Sequence, residues 1–204
     1  MENQKQKIIK AAHSLFLQCG TRSVSMDDIS RNLSISKKTI YQHFKNKNEL
    51  IKEVLNWDIQ NPLFNFKPEK YKGLNAIDYY WKFHHFVQDI LKKPHHSFEY
   101  DLNKYHPELS IQFKTRKMEM FKADLIINLN QGIKEGLYRD DFDKDIISNL
   151  LIRIYLSHWD QNLEVDSEND KFSKNYHREL TLYHLHGICS AKGVAYLNTI
   201  LKQQ

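Results

Sequence analysis

Apolar residues recur at spacings of three and four along most of the chain, which is the pattern of amphipathic helices. The first stripe runs over residues 4–19, and Gly20 is expected to end that helix at its C′ position. A second helix is predicted after the capping Ser25 and closes near residue 33. A third is predicted over residues 37–44, so only a tight turn separates the second from the third.

Three short helices, with such a turn between the last two, form a helix-turn-helix. A fourth helix is predicted to begin at Asn46, where Glu49 completes a capping box. The outer face of the third helix holds side chains that can donate or accept hydrogen bonds or stack on bases. None of them is an acid that would repel phosphate. Together with the capping Ser36, they are the candidate DNA contacts: Lys37, Lys38, Thr39, Tyr41, Gln42 and His43. A solvated face on a small helical bundle is the alternative.

The rest of the chain continues the helical pattern, with helices expected near residues 77–91, 98–105, 108–135, 143–159 and 176–201. The chain has only 6 Gly and 4 Pro, too few for the many tight turns of a sandwich or barrel. We therefore predict an all-α protein of about nine helices. Two prolines within residues 61–68 predict a boundary between a head, residues 1–60, and a helical body, residues 61–204.

The positive charge is concentrated in the head. The whole chain carries a formal net charge of +5. Residues 1–60 contain ten basic and six acidic side chains, whereas the other 144 residues contain twenty and nineteen. A small basic module beside a nearly neutral one is typical of a nucleic-acid-binding head on a body with another role.

The sequence of residues 25–50, SMDDISRNLSISKKTIYQHFKNKNEL, resembles the DNA-binding domain of the TetR/AcrR family of transcriptional regulators. Ser34 departs from the glycine usual in the family's turn, and Gln42 from a frequent tyrosine. The resemblance implies that residues 37–41 lie in or beside the major groove, and that His43 and Lys47 contact phosphate. It also implies a repressor, in which a bound effector favours a dimer state that no longer fits DNA.

The same resemblance implies a cavity for a small apolar or amphipathic effector in the aromatic-rich body, although core packing explains such aromatic stripes equally well. The candidate pocket residues are aromatic or soft: Tyr80, Phe83, Phe86, Phe113, Met120, Phe121, Tyr155 and Trp159.

The last two predicted helices resemble the pair that forms a four-helix bundle between two subunits in this family. The stripe on the first is wider than one partner helix needs, and small residues recur every four positions on the second. The candidate interface residues are Ile147, Leu151, Ile154, Gly187, Ala191, Val194 and Ala195. A homodimer would read two half-sites of an inverted-repeat operator in double-stranded DNA. The alternative is that both stripes pack inside one subunit.

Other classes find less support in the sequence. No apolar run reaches the length of a membrane span and the first residues lack a signal peptide, so we expect a cytoplasmic protein with no membrane partner. No phosphate loop, HExxH or nucleophile elbow occurs, so we expect neither catalysis nor a cofactor. The adjacent histidine pairs lack the spacing for chelation from one helix, so we assign no metal ligands. A metal-responsive regulator and a helical interaction dimer remain the alternative functions.

Overall fold

The computed structural model describes residues 3–60, 73–91, 96–159 and 174–202. The chain is all-α, as predicted, and ten helices are present in those ranges. They are α1 (Gln4–Ser23), α2 (Met26–Asn32), α3 (Lys37–Tyr41), α4 (Lys47–Gln60), α5 (Ala76–Leu91), α6 (His96–Tyr105), α7 (Pro107–Lys134), α8 (Lys144–Trp159), α9 (Lys174–Ile188) and α10 (Ala191–Leu201). The predicted boundary at residues 61–68 lies outside the described residues.

The helices form two compact units. Unit 1 comprises residues 1–65 and 94–117, and unit 2 comprises residues 66–93 and 118–204. Unit 1 therefore contains α6 and the first part of α7 in addition to the four helices of the head. Its core joins Ile8 and Phe16 of α1 to Leu50 of α4, with Phe98 and Leu102 of α6 in the same cluster. The proposed division of functions at residue 60 stays a prediction.

Two boundaries in unit 1 differ from the predictions. Gly20 lies within α1 at φ 79° and ψ 160°, so it kinks the helix, which continues for one more turn to Ser23. Helix α3 ends at Tyr41 rather than Phe44, and its last turn tightens, since the amide of His43 donates to the carbonyl of Ile40 at 2.9 Å. Both differences leave the apolar side chains facing the core.

The prediction of a single final helix was wrong. The chain leaves the helix at Cys189, which forms an isolated antiparallel bridge with Tyr138. Ser190 then begins α10, because its hydroxyl oxygen accepts from the amide of Gly193 at 3.1 Å. The amide of Ser190 donates to the carbonyl of Leu137 at 2.9 Å. A polar link to the α7–α8 connection thus replaces the helical hydrogen bond at this point, so the described residues form ten helices.

At this junction in unit 2, neighbouring groups lie so close to the backbone of two glycines that no side chain would fit there. A Cβ on Gly193 would lie 1.9 Å from the carbonyl oxygen of Leu137, and one on Gly132 would lie 2.0 Å from the ring of Tyr138. Gly136, at φ 69°, ends the α7 segment as predicted. Glycine is required at the first two positions by space and at the third by conformation.

Candidate nucleic-acid interface

A capping box fixes the start of α2. The hydroxyl oxygen of Ser25 accepts from the amide of Asp28 at 3.2 Å, and the Asp28 carboxylate accepts from the amide of Ser25 at 2.8 Å. The Ser25 hydroxyl also donates to that carboxylate, and this bond is the main reason that the pKa of Asp28 lies below its usual value. Helix α2 therefore begins at a defined residue, which sets the position of the turn that follows.

The turn between α2 and α3 is a Schellman motif built on a serine. Ser34 adopts φ 53°, the one positive φ of a residue other than glycine in the described chain. Its amide donates to the carbonyl of Arg31 at 3.1 Å, and the amide of Ile35 donates to the carbonyl of Ser30 at 3.0 Å. The departure from glycine noted in the sequence thus falls on a left-handed residue, where a side chain costs free energy.

Ser36 is the N-cap of α3. Its hydroxyl oxygen accepts from the amide of Thr39 at 3.1 Å and lies 2.8 Å from the Thr39 hydroxyl. Ile40 and Phe44 are buried and anchor the helix in the core of unit 1. Both hydroxyls are therefore engaged in holding the helix start, while Lys38, Tyr41 and Gln42 face solvent.

The exposed face of α3 consists mainly of Lys38, Tyr41 and Gln42. The side chain of Tyr41 is 45% exposed to solvent although it is a large aromatic residue. Lys37 is also exposed, but its ammonium lies 2.8 Å from the carboxylate of Asp27 on α2, which raises the pKa of Lys37. The sequence analysis did not find this pair, because it depends on how α2 packs against α3.

The remaining predicted contacts, His43 and Lys47, are half-buried. Burial lowers the pKa of Lys47, and the nearby carboxylates of Asp101 and Asp28 partly offset this effect. The predicted capping box differs in one bond. Asn46 accepts from the amide of Glu49 at 2.9 Å, but the Glu49 carboxylate accepts from the amide of Lys45, at 2.6 Å, rather than from that of Asn46.

Two polar networks, neither found by sequence reasoning, tie the head helices to the other helices of unit 1. His13 Nε2 lies 2.9 Å from Asp58 Oδ1, both side chains are buried, and Lys117 Nζ approaches Asp58 Oδ2 at 3.3 Å. In the second network, the amide of Arg22 donates to the carboxylate of Asp101 on α6 at 2.8 Å. Helix α1 is thus tied to α7 through His13 in its middle and to α6 through Arg22 near its end.

The whole positive surplus belongs to unit 1. Its residues include fourteen basic and nine acidic side chains, a net charge of +5, whereas unit 2 contains sixteen of each. The charge is divided more completely between the two units than between the segments before and after residue 60, because α6 and the start of α7 add one net positive charge to unit 1. A field of this sign over a small unit attracts a polyanion.

The predicted interface residues of the body have unequal exposure. Gly187, Ala191 and Ala195 are exposed, and Ile147, Ile154 and Val194 are half-buried. Leu151 is only 3% exposed and packs in the core of unit 2, so it is not available to another subunit in this structure. On α8 and α9, the described residues include three large apolar side chains that face outward: Ile146 at 65%, Leu150 at 52% and Tyr183 at 78%.

The predicted pocket residues do not form one group. Tyr80, Phe83, Phe86 and Phe121 belong to the core of unit 2, but Phe113 packs in the core of unit 1 and Met120 is largely exposed. Helix α7 explains the difference, because its first part belongs to unit 1 and the rest to unit 2. The side chains of Tyr155 and Trp159 lie outside the described part of the structure.

The two buried histidines among the described residues of unit 2, His84 and His184, are engaged in packing. His84 Nδ1 lies 2.7 Å from the hydroxyl of Thr181, and His184 stacks on Tyr80 at a ring distance of 4.9 Å. Burial lowers the pKa of His184 to about 3. No group of three potential metal ligands occurs among the residues that the structure describes. In the same residues, no helix is long and apolar enough to span a membrane.

This arrangement, a helix-turn-helix in a basic unit with a helical second unit, defines the class of helix-turn-helix transcriptional regulators. Residues 8–54 match the family model described as bacterial regulatory proteins, tetR family. The predicted resemblance to the TetR family is therefore confirmed. It is 26% identical over 162 residues to the HTH-type transcriptional repressor KstR2 of Mycobacterium tuberculosis, covering 72% of this chain and 75% of the relative.

Solved structures support the same fold. A transcriptional regulator from Cytophaga hutchinsonii superposes with a TM-score of 0.75 at 17% identity, over 93% of this chain and 100% of the other. A putative transcriptional regulator from Saccharomonospora viridis, in complex with choline, superposes with a TM-score of 0.68 at 18% identity, over 91% and 97%.

Proposed function

We propose that this regulator is a homodimeric repressor that reads an inverted-repeat operator with α3 and is released by a small effector bound in unit 2. The observation that carries the proposal is the outer face of α3. It presents Lys38, Tyr41 and Gln42 from a short helix capped by Ser36, in the unit that holds the entire net charge. These side chains can bind phosphate oxygens and base edges.

Dimerisation is supported by the exposed apolar side chains of α8 and α9. Ile146, Leu150 and Tyr183 are large apolar side chains that are more than half exposed, and Ile146 and Leu150 share one face of α8 because they are four residues apart. The small exposed residues Gly187 and Ala191 would let a second helix approach closely. A two-fold dimer would place one α3 on each of two DNA half-sites and so double the length of sequence that the short helix reads.

A selection from random double-stranded DNA tests the proposal. We expect enrichment of one sequence that reads as an inverted repeat, with half-sites about one helical turn apart. Light scattering of the full chain should give twice the 24.4 kDa subunit mass. Tyr183→Glu should yield monomers, while Tyr100→Glu, an exposed tyrosine of unit 1, serves as the matched control. Failure to enrich any sequence would contradict operator reading.

An effector site is supported by the aromatic-lined space between α5 and α7 in unit 2, since pockets between bundle helices commonly hold small ligands. The space measures about 10 Å³, room for about one water molecule, so a ligand would fit only if the two helices moved apart. The relative solved with choline shows that a protein of this fold takes a small organic ligand. Repression is supported by the relative named a repressor. Bound effector is expected to lower operator affinity through its higher affinity for a second dimer conformation.

A further inference from the structure

We infer that helix α6 extends the DNA-binding surface of unit 1 with a second phosphate-binding patch. Four residues, called the α6 patch, form it: Arg22 of α1 and Tyr100, Lys104 and Tyr105 of α6. This inference rests on the proposed function, because it names a further contact with the same DNA. The segment that matches the family model ends at residue 54, so the three α6 residues lie outside it.

The two cations of the α6 patch share one aromatic ring. The guanidinium carbon of Arg22 lies 4.9 Å from the centroid of the Tyr105 ring, and Lys104 Nζ lies 5.6 Å from the same centroid. Two like charges are thus held near each other at the surface, where they repel. A phosphate group beside them would offset that repulsion. Phosphates follow one another closely enough along DNA for both cations to contact the backbone.

Tyrosines hold both cationic side chains in place. Arg22 donates to the hydroxyl of Tyr105, and Lys104 Nζ donates to the hydroxyl of Tyr100 at 2.8 Å. The hydrogen bond to Tyr100 raises the pKa of Lys104, so its ammonium stays protonated near neutral pH. A phenol adds no negative charge at that pH, so the patch keeps both positive charges. Long side chains that are already ordered lose less entropy when they bind a partner.

Other exposed cations of unit 1 are held by carboxylates instead. Arg31 lies 2.6 Å from the carboxylate of Asp28, and Lys5 lies 3.3 Å from that of Glu53. A carboxylate at this distance offsets the attraction of the cation for phosphate. The α6 patch is therefore a stronger phosphate-binding surface than these paired cations. Its tyrosine hydroxyls can also donate to phosphate, since Tyr100 is 47% and Tyr105 37% exposed.

The α6 patch lies beside the start of α4. Asp101 of α6 accepts from the backbone amide of Arg22 at 2.8 Å, and its carboxylate partly offsets the burial that lowers the pKa of Lys47. Burial and, to a smaller extent, the charge of Lys47 lower the pKa of His106, the residue after Tyr105. Lys47 is a predicted phosphate contact at the first position of α4. The patch thus continues the positive surface that begins at Lys47.

Salt titrations of the full chain test the α6 patch. Fluorescence anisotropy between 50 and 200 mM salt gives the slope of the log of the binding constant against the log of the salt concentration. Lys104→Ala and Arg22→Ala should each decrease the magnitude of this slope by about 1.8 per dimer, at about 0.9 for each phosphate contact. Phosphate contacts carry no sequence information, so the decrease should be equal on the selected operator and on an unrelated duplex.

Two further variants separate charge from fold. Lys104→Arg keeps the charge and should keep the wild-type slope. Lys114→Ala is the matched control, because Lys114 is an exposed lysine of α7 in the same unit that also donates to an uncharged group, Asn103, at 2.9 Å. It should leave the slope unchanged. Arg22 and Lys104 lie on different helices, so misfolding of one variant leaves the other as the test.

A wild-type slope in a folded Lys104→Ala or Arg22→Ala variant, or an equal decrease in Lys114→Ala, would overturn the inference. Failure of the proposed function gives a different result. If selection enriches no operator but an unrelated duplex binds with a slope that Lys104→Ala lowers, the α6 patch stands and operator reading fails. If Lys38→Ala lowers the slope and Lys104→Ala does not, α3 holds the DNA and the α6 patch is wrong.

Discussion

Replacing Ser34 with glycine should stabilise unit 1. Ser34 holds the C′ position of the α2 Schellman motif at φ 53°, where a side chain costs about 1–2 kcal/mol. The side chain is exposed to solvent, so its removal costs little in packing. Glycine loses about 0.5–1 kcal/mol more entropy on folding. The net gain is therefore about 0.5–1 kcal/mol in the free energy of unfolding.

Urea denaturation followed by circular dichroism measures this difference, and the melting temperature should rise by about 1–4 °C. Ser34→Ala is the matched control, because alanine keeps the Cβ that causes the strain and should give no stabilisation. Operator affinity should stay within about twofold for Ser34→Gly, since both bonds of the motif are retained. If glycine destabilises the protein, or if alanine stabilises it as much, the attribution of strain to the left-handed conformation is wrong.

Three further predictions concern single side chains. Gly193→Ala should destabilise unit 2 by about 1–3 kcal/mol, because the added Cβ would lie 1.9 Å from the carbonyl oxygen of Leu137. A melting temperature within 1 °C of wild type would contradict this prediction. The pKa of His184 is about 3 when folded and 6.5 when unfolded, so the unfolded chain binds an extra proton between these values and stability falls as the pH drops below 6.5. His184→Gln should remove about 2 kcal/mol of the stability difference between pH 7 and pH 5 in urea titrations, and an unchanged acid dependence would refute the assignment. Asp27→Asn releases Lys37 from its 2.8 Å ion pair and should strengthen binding to unrelated DNA in anisotropy titrations, with little change in stability because the pair is exposed to solvent. Unchanged affinity would show that Lys37 stays away from DNA.

Local signals in the sequence were sufficient for most helix starts. Ser25 and Ser36 cap α2 and α3 as predicted, because an N-cap depends on a few neighbouring residues. The break at Cys189 and Ser190 could not be predicted in the same way. It depends on bonds to Leu137 and a bridge to Tyr138, about fifty residues earlier, and the apolar pattern continues through it.

The candidate site shows the same division between local and distant information. The exposed face of α3 follows from helical periodicity, whereas the Lys37–Asp27 pair and the environment of Lys47 depend on how separate helices pack. Phe113 was grouped with the pocket because an aromatic stripe does not reveal which end of a long helix joins which core. Leu151 was placed in the interface because a wide stripe contains both inward and outward residues.

The salt dependence of operator binding tests the central claim, that α3 of a basic unit holds the DNA. Anisotropy titrations of the selected operator between 50 and 200 mM salt give the slope of the log of the binding constant against the log of the salt concentration. The magnitude of this slope should decrease by about 0.9 for each phosphate contact removed, hence by about 1.8 per dimer in Lys38→Ala. Lys114→Ala removes the same charge from α7 of the same unit and should leave the slope unchanged. A wild-type slope in Lys38→Ala, or an equal loss in Lys114→Ala, would contradict the account.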